Sequence, residues 1–167
     1  MITKNKTNTP IKAADEVWIA TALLHREHPD QEDFTIQEIV DRAERENLFG
    51  YLRPSVRVHA TTHCVANRPP SPGGYIMLLA TGKRTRRLFR PGDPVHPRRN
   101  GKVTPNRDEI PERYHELLNW YETELARTAG AKGHPLDALL ALRGTGKDLW
   151  ADEHADEYVR RLREGWE

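Results

Sequence analysis

The run Asp33-Phe34-Thr35-Ile36-Gln37-Glu38 fixes the start of a helix more tightly than any other part of this chain. Thr35 and Glu38 stand three residues apart, so each side chain can bond the other's backbone N–H and satisfy a donor the first helical turn leaves open. Phe34 and Ile39 stand on either side of that cap as a hydrophobic staple. Ile36, Ile39, Val40 and Ala43 then fall on one face, and Gly50 stops the run, which predicts an amphipathic helix over 35–48. Such a stripe needs partners. One lies upstream over 12–27, with Ala13, Val17, Ala20, Leu23 and Leu24 at helical spacing and Pro29 beyond. A second lies downstream over 54–66, where Pro54 suits a first turn, Ser55 is an alternative cap, and Val56, Ala60 and Cys64 recur every fourth residue.

The pattern then changes period. The loop NRPPSPGG, 67–74, separates the helices from two short strand-like runs, 75–80 and 85–90. Thr81 to Arg84 connects them, with Gly82 free to adopt a positive φ. Four prolines make 91–107 a linker or an extended basic arm. Tyr114, Leu117, Leu118, Tyr121 and Leu125 predict a further helix over 111–128. The organisation expected is a flexible tail at 1–10, one domain over 11–128, a linker at 129–135, and a helical tail at 136–167.

Charge divides the chain in the same way. Residues 53–107 carry twelve Lys or Arg against a single acid, Asp93, whereas the segments on either side are net acidic, leaving a formal charge of +1. A cationic middle implies a polyanion-binding surface, set against the plainer reading of a solvated basic face. Cys64 is the one cysteine, which rules out an internal disulfide and CxxC-type zinc sites. Nothing in the sequence resembles a signal peptide or a membrane span, so a bacterial-style cytoplasmic protein is expected. Enzymatic readings fall on spacing. RGTGKDLW has Ala141 and Asp148 where a phosphate loop needs Gly and Ser or Thr, and HREH lacks the HExxH interval. His63 and Cys64 are adjacent, so on a helix they point apart. No catalytic residue, metal site or cofactor is expected.

Helix, helix, helix and hairpin, together with the pattern SVRVHATTHCVAN followed by GGYIMLLATGKRTRRLFRPGD, resemble small bacterial winged helix-turn-helix modules over residues 12–91. The resemblance implies an α+β fold: three helices plus a two-stranded β-hairpin wing, with additional helices C-terminal to it. It also implies double-stranded DNA as partner, with 54–66 in the major groove. Arg57 then reads guanine, and Ser55, His59, Thr61 and Thr62 meet bases or phosphates; His59 and His63 read equally well as packing residues at the domain edge. Arg53 would meet a phosphate at the helix start. Lys83, Arg84, Arg86 and Arg87 would lie along the backbone, Arg84 and Arg86 on one strand face and Arg87 on the other. A winged helix used for protein contacts is the rival reading.

Residues 134–167 place large apolar side chains in an acidic segment too short to bury them, a composition that docks on its own domain or on another protein. The run ALLALRGTGKDLWADEHADEYVRRLREGWE resembles the toxin-binding segment of VapB-type antitoxins, through Gly146, Lys147, Trp150, Asp156, Glu157, Tyr158, Val159, Leu162 and Arg163. The resemblance implies that Leu139, Leu140, Leu142, Lys147, Trp150, Tyr158, Val159, Leu162, Arg163 and Trp166 contact a PIN-type ribonuclease toxin, with Arg160, Arg161 or Arg163 facing its acidic site. Such antitoxins usually carry a ribbon-helix-helix or swapped-hairpin head rather than a winged helix. The function expected is a non-enzymatic transcriptional repressor and antitoxin, with homodimerisation left open. The alternative is a DNA-binding accessory protein of a restriction or defence system.

Overall fold

The computed structural model describes residues 10–70 and 72–125, all within one unit spanning Met1–Ala129. The expected linker at 129–135 and the expected partner-binding residues from Leu139 to Trp166 lie outside the described residues. Among the described residues the fold is α+β, with four α-helices and one three-stranded antiparallel sheet.

Helix α1 spans Ala13–Glu27 and is the axis of the core. The sequence shows one apolar stripe, yet α1 is buried on nearly its whole circumference, Trp18 and Ile19 included. The reason is position: the helices Ile36–Glu46, Pro54–Val58 and His115–Trp120 and the strand Thr85–Leu88 all pack against it. Four polar residues are therefore buried with partners of their own. Asp15 pairs with Lys102 at 2.9 Å, and Glu16 pairs with Arg53. Thr21 Oγ1 donates to Val17 O at 2.8 Å. His25 Nε2 accepts from the Leu88 amide at 3.2 Å.

A two-residue strand β1, Phe34–Thr35, leads directly into α2, Ile36–Glu46. Both halves of the capping box form: Glu38 N donates to Thr35 Oγ1 at 3.1 Å and Thr35 N to Glu38 Oε2 at 2.7 Å. Phe34 and Ile39 are both buried, as a staple requires. Asn47, at φ 52°, ends the helix in the left-handed conformation and donates its N–H to Ala43 O. Helix α3 begins with Pro54 at N1, spans Pro54–Val58 and runs on as a π-helical turn over His59–His63. Neither Arg53 nor Ser55 caps it with a side chain. Val56, Ala60 and Cys64 are fully buried, in keeping with their four-residue recurrence. Burying side chains such as Trp18, Phe34, Ile39 and Val56 contributes about 1.5–3 kcal/mol each.

Strands β2, Leu78–Ala80, and β3, Thr85–Leu88, form the hairpin, and β1 adds to the other edge of β3 in the order β1-β3-β2. Phe34 faces Arg86, and Leu79 faces Arg87. Gly82 does not use its freedom to take a positive φ; among the described glycines only Gly50 and Gly92 do. Its lack of a side chain serves spacing instead, since a Cβ there would lie 2.8 Å from Thr85 Oγ1.

The proline-rich stretch 91–107 is packed onto the domain. His96 N donates to Ala66 O at 2.8 Å, Gly101 N to Gly74 O at 2.9 Å, and Ile76 N to Lys102 O at 3.0 Å. Helix α4, His115–Trp120, lies between a 3₁₀ turn at Glu112–Tyr114 and a π-helical turn at Tyr121–Leu125. Tyr121 meets Trp18 edge-on at 5.7 Å between ring centroids, and its hydroxyl donates to Phe89 O.

Candidate functional site

The last carbonyls of a helix have no partner within it and must find one elsewhere. At the end of α3 they find two arginines. Arg86, fully buried on β3, donates from Nε to Ala60 O at 3.1 Å and from Nη2 to Thr61 O at 3.2 Å. Its Nη1 reaches Gly82 O at 3.1 Å and Thr85 O at 2.7 Å in the hairpin. Arg99, 5% exposed, donates from Nη2 to Thr62 O at 2.7 Å and from Nη1 to His63 O at 2.9 Å. It also ties in the loop through Tyr75 O at 2.7 Å and Arg68 O at 2.6 Å. Four consecutive carbonyls, 60 to 63, thus meet guanidinium groups at the negative end of the helix dipole. Burial and the nearby Arg68 lower Arg86 to about 10, so it stays charged at neutral pH.

This arrangement changes the roles of three expected contact residues. Arg86 does not share an outward face with Arg84; it lies on the core side of β3 with Leu88 and has no surface for a polyanion. Arg87 is locked bidentate to Asp93, at 2.7 Å for both bonds. Arg53 binds Glu16, donates to Ile11 O at 2.8 Å and lies over the Phe49 ring at 3.9 Å. Sequence counting treats every Arg as surface, whereas these three hold the domain together.

The remaining cations converge. The N-terminus of α2, the side of α3 and the hairpin loop enclose an open cleft of about 470 Å³ lined by Thr35, Ile36, Gln37, Arg57, Thr61 and Arg84. Arg84 is positioned through its carbonyl, which accepts from Ile36 N at 2.9 Å. Arg57 Nη2 donates to Gln37 Oε1, which ties the guanidinium to α2. Lys83 and Arg84 are both exposed at the hairpin tip. Nearby acids are already engaged: Asp33 accepts from Thr81 at 2.6 Å, Asp41 from Gln37 Nε2 at 2.6 Å, and Glu38 is drawn into the cap, which lowers its carboxyl. The cleft lining itself carries two cations and no acid.

The other expected contacts take different places. Ser55 and Thr62 lie half-buried on α3, and Thr62 Oγ1 donates back to Val58 O at 3.0 Å. His59 is a packing residue: its ring meets His63 edge-on at 4.9 Å and its Nδ1 sits 3.4 Å from Cys64 Sγ. Burial, with His63 and Arg53 beside it, lowers His59 to about 4. Burial likewise raises the Cys64 thiol far above its usual range.

Thr35, Ile36 and Gln37 were not singled out by sequence as contact residues. The signal was present in the capping box, which marks where α2 begins and so which side chains surround its first turn. Among the described residues no group of three or more His, Cys, Asp or Glu could hold a metal ion, and no helix is long and apolar enough to cross a membrane. What the cleft offers is fixed positive charge and hydrogen-bond donors on an open surface, which suits an anionic polymer better than a small molecule needing enclosure. Comparison with protein-family models, with curated proteins and with solved structures finds no match to the chain.

Proposed function

We propose that this protein binds double-stranded DNA as a winged helix, with α3 in the major groove and the β2–β3 loop along the backbone. The observation that carries this reading is the convergence of Arg57 and Arg84 on one acid-free cleft beside the exposed Lys83. The order helix, short strand, helix, helix, hairpin, with β1 on the edge of β3, supports it. A helix about 10–12 Å across fits the major groove, and a guanidinium there can bond guanine O6 and N7 together. In this reading the segment 134–167 captures a protein partner of the PIN-ribonuclease class and the DNA-binding head represses transcription. Support for that half is the sequence run from Gly146 to Arg163 alone.

The test of the head is duplex affinity against salt. Each phosphate that the protein neutralises adds about 0.9 to the steepness of the log–log plot. Lys83→Ala and Arg84→Ala should each make the plot shallower by about that amount, evenly across sequences, whereas Arg57→Ala should weaken preferred sites by about 1–3 kcal/mol and relax specificity. A salt-independent affinity, or no binding at low salt, overturns the reading. For the tail, the full chain should co-purify with a nuclease encoded beside it, and a chain ending at residue 133 should not.

A further inference from the structure

Helix α3 turns an unusual surface away from the core. Pro54, Arg57 and Val58 are exposed, Val58 to 45%, and Thr61 and Thr62 flank them one turn on. Positions three and four apart share a helix face, so Val58 neighbours both threonines and Arg57 neighbours Thr61. Neither threonine offers its hydroxyl proton outward. Thr61 Oγ1 donates to Arg57 O at 2.7 Å and Thr62 Oγ1 to Val58 O at 3.0 Å. Each therefore contributes a methyl group and an acceptor oxygen. The strip is one guanidinium followed by an aliphatic patch. Gln37 takes one of the five N–H groups of Arg57, which leaves enough for the two acceptors of a guanine edge.

Resting on the duplex-binding reading, we infer that this strip selects B-form DNA in which a guanine, bonded by Arg57, lies next to thymine, whose 5-methyl group packs on Val58 and the threonine methyls. The thymine methyl is the apolar group that the major groove displays, and it distinguishes T from every other base there. Phosphate and sugar offer nothing that an exposed valine would recognise. The deep, narrow major groove of duplex RNA does not admit such side chains, and uracil lacks the methyl. The patch therefore assigns both the polymer and one base step within its site.

The experiment uses the full chain and a pool of random DNA duplexes, selected at low salt. Enriched duplexes should share a guanine–thymine step. Remaking one of them with deoxyuridine for that thymine removes a methyl and leaves every hydrogen bond intact. Affinity should fall about three- to fivefold, the value of one buried methyl-sized group. Val58→Ala should narrow the difference between the thymine and deoxyuridine duplexes, and its salt slope should match the parent's, showing that the domain and its phosphate contacts are intact. Equal parental affinity for thymine and deoxyuridine overturns the methyl contact, as does an enriched set without the step. In either case a steep salt dependence would leave the duplex-binding reading standing. Capture of no duplex at low salt overturns both.

Discussion

Replacing Arg86 with methionine removes a buried charge while keeping much of its volume. The change should be among the most damaging in the domain, although it touches no ligand. The guanidinium supplies donors to Ala60 O, Thr61 O, Gly82 O and Thr85 O. The two helix carbonyls are the costly ones, because their helix ends there and no turn follows to satisfy them. A buried polar group left unpaired costs about 1–3 kcal/mol, so the pair sets a loss of about 2–6 kcal/mol. Relief from burying a charge offsets part of this, which leaves about 3 kcal/mol, against about 5–15 kcal/mol for a typical domain. Equilibrium urea unfolding, followed by tryptophan fluorescence, reads it directly. With a slope near 2 kcal/mol/M the midpoint should fall by about 1.5 M. Arg86→Lys should recover less than half, because a compact ammonium cannot span a helix end and a hairpin as a planar fork does. A loss under about 1 kcal/mol for methionine, or full recovery by lysine, would refute the claim that this side chain completes α3.

Three further outcomes follow from other parts of the structure. Arg53→Met strands the buried Glu16 carboxylate and should cost about 3–5 kcal/mol in urea unfolding, and adding Glu16→Leu should restore most of it. Thr35→Ala removes half of the capping box and should lower stability by about 1 kcal/mol, read as a fall in thermal midpoint. His25 is lowered to about 4 by burial, then by Arg90 and Arg87, against an ordinary value near 6.5. As pH falls below 6.5 the unfolded chain takes up this proton and the folded chain does not, so stability is full above 6.5 and is lost between 6.5 and 4, by up to about 1.4 kcal/mol per unit. Burial raises the Asp15 and Glu16 carboxyls, which oppose this loss at the acid end, whereas Glu38, Glu46 and Glu109 are held low by their hydrogen-bond partners and add to it. His25→Gln, which keeps an acceptor for the Leu88 amide, should remove the His25 part of the slope in pH-dependent unfolding.

What the sequence made legible was local. The start of α2 rests on side chains three residues apart, and the buried face of α3 on a four-residue recurrence, so both could be read from neighbours along the chain. Strand β1 could not: two residues, Phe34 and Thr35, become a strand only because β3 supplies partners about fifty residues later. Arg57, Thr61, Lys83 and Arg84 were named from the sequence, and the structure brings all but Lys83 into the cleft lining, with Lys83 exposed beside Arg84. Arg86 was misjudged because an arginine is assumed to seek water. The contrary sign was its place two residues before Leu88 on the same strand, which puts both on one face. Arg99 had no such sign, since a stretch broken by prolines has no period from which inward and outward can be told.

The two guanidinium clamps also set an order of events. Ala60 to His63 are closed off by side chains 25 to 37 residues further along the chain. At the moment the last residue of α3 is added, neither arginine has yet been synthesised, and contacts of that separation form slowly because the intervening loop must close first. The element with the strip proposed to face DNA is thus finished by what comes after it. A nascent chain stopped before residue 86 carries every residue of α3 but neither of the guanidinium groups that close its end.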